Sequence, residues 1–197
     1  MKQLERSALG AAVVLSVVSI GDAVLRATTD VVPPWDDEST TTWALVTTNL
    51  LMMVTFGLLA AVLVRNARLI DAGSGVVRWI RRVFAADLAV LATGYLLVSV
   101  AGSEAFGAVA GIAFLVMFVL GAVLGGALLR RPDVRVPAAL MVAPVPIIGL
   151  TFALEALAPG WGHPGYAETA LYLGIALLGL TTAAAPTHTP ARSVAAR

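Results

Sequence analysis

Residues 105–129 read AFGAVAGIAFLVMFVLGAVLGGALL, and no charged, amide or hydroxyl side chain interrupts the 25 positions. At about 1.5 Å per residue, a helix of this length exceeds the ~30 Å hydrocarbon core of a bilayer. The run is apolar on every face, as a lipid-embedded helix requires. It is bounded by Glu104 on one side and by Arg130-Arg131 on the other. Working outward, five further stretches have the same character: Ala8–Leu25, Trp43–Val64, Val83–Ala101, Val136–Leu157 and Tyr166–Ala185. Closed barrels are the other way to satisfy a backbone in lipid, but their strands are shorter and alternate in polarity. The expected fold is therefore all-α: a polytopic integral membrane protein, a bundle of about six transmembrane helices.

Composition agrees. Of 197 residues, 59% are hydrophobic and 13% charged, with a mean hydropathy of +0.90. Soluble domains carry about 25% charge. Span 1 follows a short basic start and could be read as a signal peptide. Its apolar run is longer than the usual core of about 7–15 residues, and no A-x-A site follows Asp22, so the expectation is a retained helix. Residues 1–185 then form one six-helix domain. The tail 186–197, rich in Pro, Thr, Ala and Arg, is expected to be disordered. Arginine outnumbers lysine, which occurs once (Lys2), and with the Ala/Val/Gly bias this points to a GC-rich prokaryotic genome.

The basic residues set the orientation. Lys2 and Arg6 precede span 1; Arg65, Arg68, Arg78, Arg81 and Arg82 lie between spans 2 and 3; Arg130, Arg131 and Arg135 lie between spans 4 and 5; Arg192 and Arg197 end the chain. Of the 13 Lys and Arg residues, Arg26 alone falls on the other side, among Asp30, Asp36, Asp37, Glu38, Glu104 and Glu168. Basic loops stay cytoplasmic, so the chain is expected in a prokaryotic plasma membrane with both termini inside. Trp35, Trp43, Trp161 and Tyr166 would mark the outer interface.

Ionisable and amide groups within spans are costly, which makes each a functional candidate. Asp22, Asn49 and Glu155 fall in the outer halves of spans 1, 2 and 5, and Asp87 near the inner end of span 3. Each also has a local explanation: Asp22 can pair with Arg26 at i+4, Asn49 can bond across helices, Asp87 sits near the arginine loop, and Glu155 can reach the headgroups. No carboxylate falls at a span centre, where ion-coupled carriers commonly keep one. Pro144 and Pro146, followed by Gly149, should kink or locally unwind span 5; the result is either a hinge beside a substrate path or a static bend. Gly107, Gly111, Gly121 and Gly125 share one face of span 4 and permit close helix approach, within the chain or to a second protomer. Arg78, Arg81 and Arg82 recur at helical spacing beside Trp79, which suits contact with anionic lipid headgroups as well as topology alone.

His163 lies in the turn sequence Pro159–Gly165, and Glu168 suits the macrodipole at the start of span 6. His163 and His188 fall on opposite sides and cannot jointly hold a metal or haem. The absence of cysteine excludes thiol and Cys-ligated metal chemistry. No H-E-x-x-H, G-x-S-x-G or P-loop pattern is present. No cofactor, metal or nucleic acid is expected. The leading functional expectation is a transporter, permease or channel-like protein with an outward-facing vestibule formed by Asp22, Arg26, Asn49 and Glu155. The alternative is an accessory subunit of a membrane complex docking through the glycine face, or a homo-oligomer. An intramembrane lipid-modifying enzyme ranks third.

Overall fold

The computed structural model describes residues 3–29, 33–34, 41–101 and 104–184. The tail with His188, and the outer-loop residues Asp30, Trp35, Asp36, Asp37 and Glu38, lie outside them. The described residues are helical, with no strand among them: α1 (Gln3–Thr28), α2 (Thr42–Arg65), a short α3 (Ala67–Asp71), α4 (Gly75–Ala101), α5 (Glu104–Leu128), α6 (Arg135–Val142), α7 (Pro144–Leu157) and α8 (Gly165–Ala184). A 3₁₀ turn at Pro132–Val134 leads into α6.

Five segments are long and apolar enough to cross a membrane: α1, α2, α4, α5 and the continuous run Pro132–Leu157 containing α6 and α7. The sixth expected span is α8. Its 20 residues reach about 30 Å, and it is the helix most enclosed by the others. Ala167, Leu171, Tyr172, Ile175, Ala176 and Leu178 are buried within it. The outward side chains suit a lipid environment: α5 exposes Ile112, Leu115, Val116, Val119 and Val123, an apolar face at helical spacing.

α1 packs between α2 and α8, α4 between α2 and α5, and α6 joins α5 to α8, which also touches α2 across the middle. Phe56, Leu59, Leu88, Leu91, Leu15, Met117, Leu124, Tyr172 and Ile175 fill the centre. Lipid and protein interior both accept apolar side chains, so close packing and not hydrophobicity selects which of them form this core.

Two features refine the sequence reading. α4 begins at Gly75, so Val76–Arg82 is the first turns of a span and not a separate interfacial segment. The proline break does not unwind the segment. Pro144 and Pro146 cannot donate to Leu140 and Val142. Ala143 nevertheless keeps helical dihedrals, φ −54 and ψ −31. Its N–H bonds to Ala139 O at 2.9 Å, and its carbonyl accepts from Ile147 N at 3.1 Å.

The arginine-rich end is knit internally. The chain turns sharply at Ala72 (φ 44) and Gly73 (φ 85), which returns Asp71 to α4. Buried Arg81 grips Asp71 through Nε–Oδ1 at 2.7 Å and Nη2–Oδ2 at 3.1 Å, and donates to Leu63 O at 3.3 Å. Arg131 donates to the carbonyls of Leu69 at 3.0 Å and Ile70 at 2.7 Å. The expectation that Arg78, Arg81 and Arg82 all face headgroups is therefore corrected for Arg81. Its five donors match a buried carboxylate in a fixed fork, which outweighs any lipid contact. Arg78 is exposed with Nε 3.6 Å from Asp71 Oδ2, and Arg82 is exposed.

Candidate functional site: a polar cavity at the end opposite the arginines

Five helices leave a cavity of about 560 Å³ between their ends. α1 contributes Val18, Ser19 and Asp22; α2 contributes Leu45, Thr48, Asn49 and Met52; α4 contributes Tyr95 and Val98. These sets recur at three- and four-residue spacing, one face of each helix. Gly107, Ala110 and Gly111 of α5 line it with no side chain beyond a methyl, so the opening is partly a product of small residues. His163 and Glu168 complete the wall.

Asp22 is the hub. Its Oδ2 lies 3.2 Å from Arg26 Nε and 2.8 Å from His163 Nε2. Its Oδ1 is buried without a hydrogen-bond partner. The other ring nitrogen of His163, Nδ1, accepts from Gly165 N–H at 3.1 Å. An acceptor at Nδ1 and a carboxylate at Nε2 assign the neutral tautomer protonated on Nε2. Burial depresses the His163 basicity below its ordinary value of 6.5; the Asp22 carboxylate opposes this and Arg26 reinforces it.

The sign follows from linkage. A depressed folded value means that the unfolded chain binds more protons in this range. The stabilisation is complete above about 6.5 and is lost as pH falls through the lower, folded value. The contribution of His163 to the melting temperature in detergent, read as wild type minus His163→Gln, should therefore shrink on acidification from pH 7 to pH 5. His163→Gln keeps a donor toward Asp22 but does not titrate. An identical profile for both would refute the role given to His163.

Glu168 lies one turn inside α8 and is 93% buried, with a relative exposure of 7%. Its Oε2 accepts from Ser19 Oγ at 3.0 Å and from Tyr172 OH at 3.3 Å. Among the described residues its Oε1 has no hydrogen-bond partner. Below it, Phe56 stacks on Tyr95 at 5.8 Å and meets Tyr172 edge-on at 5.6 Å. Tyr95 of this trio lines the cavity, the face of an aromatic floor backed by Phe56 and then Tyr172.

The expected vestibule residues thus divide. Asp22 and Asn49 meet in the cavity, and Asn49 makes no interhelical hydrogen bond among the described residues. Arg26 reaches the site through Asp22. Glu155 does not line the cavity. It is exposed, and its Oε2 accepts from Gly160 N and Gly162 N, each at 3.0 Å. Two aligned backbone donors in a tight loop capture this carboxylate. They also hold the segment that carries His163. Pro144, Pro146 and Gly149 do not line the cavity either.

The glycine face of α5 performs two jobs. Gly107 and Gly111 open onto the cavity, whereas a Cβ at Gly121 would strike Leu171 of α8 and one at Gly125 would lie 2.7 Å from Ala138 O of α6. The inner half of the face is therefore occupied within the chain, while Gly107 and Gly111 remain exposed in its outer half.

His163, Glu168, Ser19 and Tyr95 were absent from the expected site. Glu168 had a usable signal, a carboxylate four residues before Tyr172 on a spanning helix. His163 had none, because its Pro/Gly surroundings read as turn chemistry and only the fold returns it to Asp22. Among the described residues no three His, Asp or Glu side chains are placed to hold a metal ion. No protein-family model, curated protein or solved structure matches the chain, so the site is read from its own chemistry.

Proposed function

We propose that the protein is a small-solute permease whose binding site is the cavity bounded by Asp22, Asn49, His163 and Glu168. The convergence of these four groups from three helices and a loop, on a space of about 560 Å³, carries the reading. Pockets of roughly 300–1,000 Å³ accept small ligands, with a few polar groups set in apolar walls. A carrier fits better than an open channel. Beneath the aromatic floor, Leu15, Leu59 and Leu91 are fully buried, so passage requires rearrangement. With the arginine-rich end in the cytoplasm of a prokaryotic cell, the cavity faces outward. Arg78 and Arg82, exposed beside Trp79, would then meet anionic lipid at the inner surface.

The test is flux in proteoliposomes, screened by solid-supported-membrane electrophysiology over small amines, carboxylates, amino acids and sugars. The wild-type protein should give current with at least one class. Asp22→Asn and Asn49→Leu should cut it about tenfold or more while the melting temperature is retained. No current above empty liposomes across the panel would reject the permease reading.

A further inference from the structure

We infer that the cavity takes an organic cation: a primary or secondary ammonium group on a compact apolar or aromatic body. This rests on the permease reading for its site and adds the class of solute. Two carboxylates, Asp22 and Glu168, face the space, and one cation, Arg26, is committed to Asp22 at 3.2 Å. His163 is held neutral by burial and by its Gly165 bond. Tyr95 and Tyr172 are the remaining ionisable groups beside Glu168, and neither supplies positive charge. Among the described residues the wall therefore carries one carboxyl group more than it has cations, and a bound cation would hold Glu168 in its ionised form.

The unsatisfied atoms have the same bias. Asp22 Oδ1 is buried without a partner, and Glu168 Oε1 has none among the described residues on a side chain 93% buried. Both are acceptors. An ammonium group brings only donors, three in a primary amine, together with the missing charge. Asn49 offers its amide oxygen as a third acceptor on the same wall. A buried carboxylate lacking its cation is costly, and a charge-assisted hydrogen bond relieves that cost most directly. An anionic solute would meet two carboxylates. A neutral solute would leave the imbalance in place.

The rest of the wall describes the body of the solute. Val18, Leu45, Met52, Val98 and Ala110 are apolar, and Tyr95 adds an aromatic ring, to which cations are also attracted. A bare inorganic cation fits poorly. It demands about six to eight oxygen ligands for calcium, or near-octahedral geometry for magnesium, and it would leave most of 560 Å³ unfilled.

The experiment uses the full chain in lipid nanodiscs at pH 7, with benzylamine as cation, benzyl alcohol as its neutral counterpart and benzoate as anion. Binding is read by calorimetry and by shift of the melting temperature. Benzylamine should bind at least tenfold more tightly than the other two. Glu168→Gln keeps an oxygen to accept from Ser19 and Tyr172, so it should fold, and it should weaken benzylamine binding tenfold or more. Gly111→Leu should abolish binding by filling the space, since nothing lies within 4 Å of its Cβ position. Benzyl alcohol binding as tightly as benzylamine, with both lost in Gly111→Leu, would overturn the cation class and leave the cavity as a site. Undiminished benzylamine binding in Glu168→Gln would likewise overturn it. Absence of binding by all three probes, together with absence of flux across the panel, would remove the site reading and this inference with it.

Discussion

Gly125→Leu should prevent stable folding, whereas Gly126→Leu, one residue away, should be close to silent. A Cβ at position 125 would lie 2.7 Å from Ala138 O, 2.9 Å from Met141 Cβ and 3.0 Å from Val142 Cγ2. The first of these is backbone and cannot swing aside. α6 is held from its other flank by Gly174 of α8, where a Cβ would lie 2.8 Å from Met141 Cγ and 3.0 Å from Pro137 O. This short helix is thus clamped between two glycines and cannot retreat from a leucine at 125. Overpacking of this kind costs about 1–3 kcal/mol where side chains can yield, and more where backbone must move. At Gly126 nothing lies within 4 Å. Monodispersity and melting temperature in detergent measure the contrast. Equal tolerance at 125 and 126 would mean that the α5–α6 contact is not formed.

Arg81→Ala should be the most destabilising charge removal. Arg81 and Asp71 have side-chain exposures of 6% and 9%, so the carboxylate left behind stays buried. Removing one partner of a buried pair costs about 3–5 kcal/mol. Arg78 Nε, 3.6 Å from Asp71 Oδ2 and half exposed, recovers only a part. The loss comes from the uncompensated charge more than from the pair itself. The double replacement Arg81→Leu with Asp71→Leu should therefore be more stable than Arg81→Ala. Melting curves for the two variants decide this. A double variant no better than the single would show that the fork holds the α3–α4 turn by geometry and not by charge.

The spans were legible because their signal is bulk: long apolar runs and arginines sorted to one side need no knowledge of neighbours. Glycine spacing on α5 was also legible, but its division was not. Whether Gly111 meets a cavity and Gly125 a helix depends on where α6 arrives, which only the packed bundle decides. The site was half legible. Asp22 and Asn49 declared themselves as polar residues within spans. Glu155 declares itself by the same rule but does not line the cavity, because the N–H groups of Gly160 and Gly162, in the loop directly after its own helix, hold its carboxylate. Glu168 reads from sequence as an outer-side carboxylate suited to the macrodipole at a helix start. The enclosure of α8 by α1 and α2 places it inside instead. His163 gains its meaning from a contact 141 residues distant in sequence (163 minus 22). No local pattern encodes such a contact.

Side-specific labelling of a single cysteine at position 49 tests the central claim most directly. The chain contains no cysteine, so the background is clean. Asn49 is half-buried on the cavity wall, and Ser74 lies at the arginine-rich end beside the start of α4. A small membrane-impermeant thiol reagent applied outside intact cells should modify Asn49→Cys and spare Ser74→Cys, which should react only after permeabilisation. Filling the cavity with Gly111→Leu in the same chain should protect Asn49→Cys. Modification of Ser74→Cys from outside, or an Asn49→Cys that remains inert from both sides, would contradict a water-filled cavity opening away from the arginines.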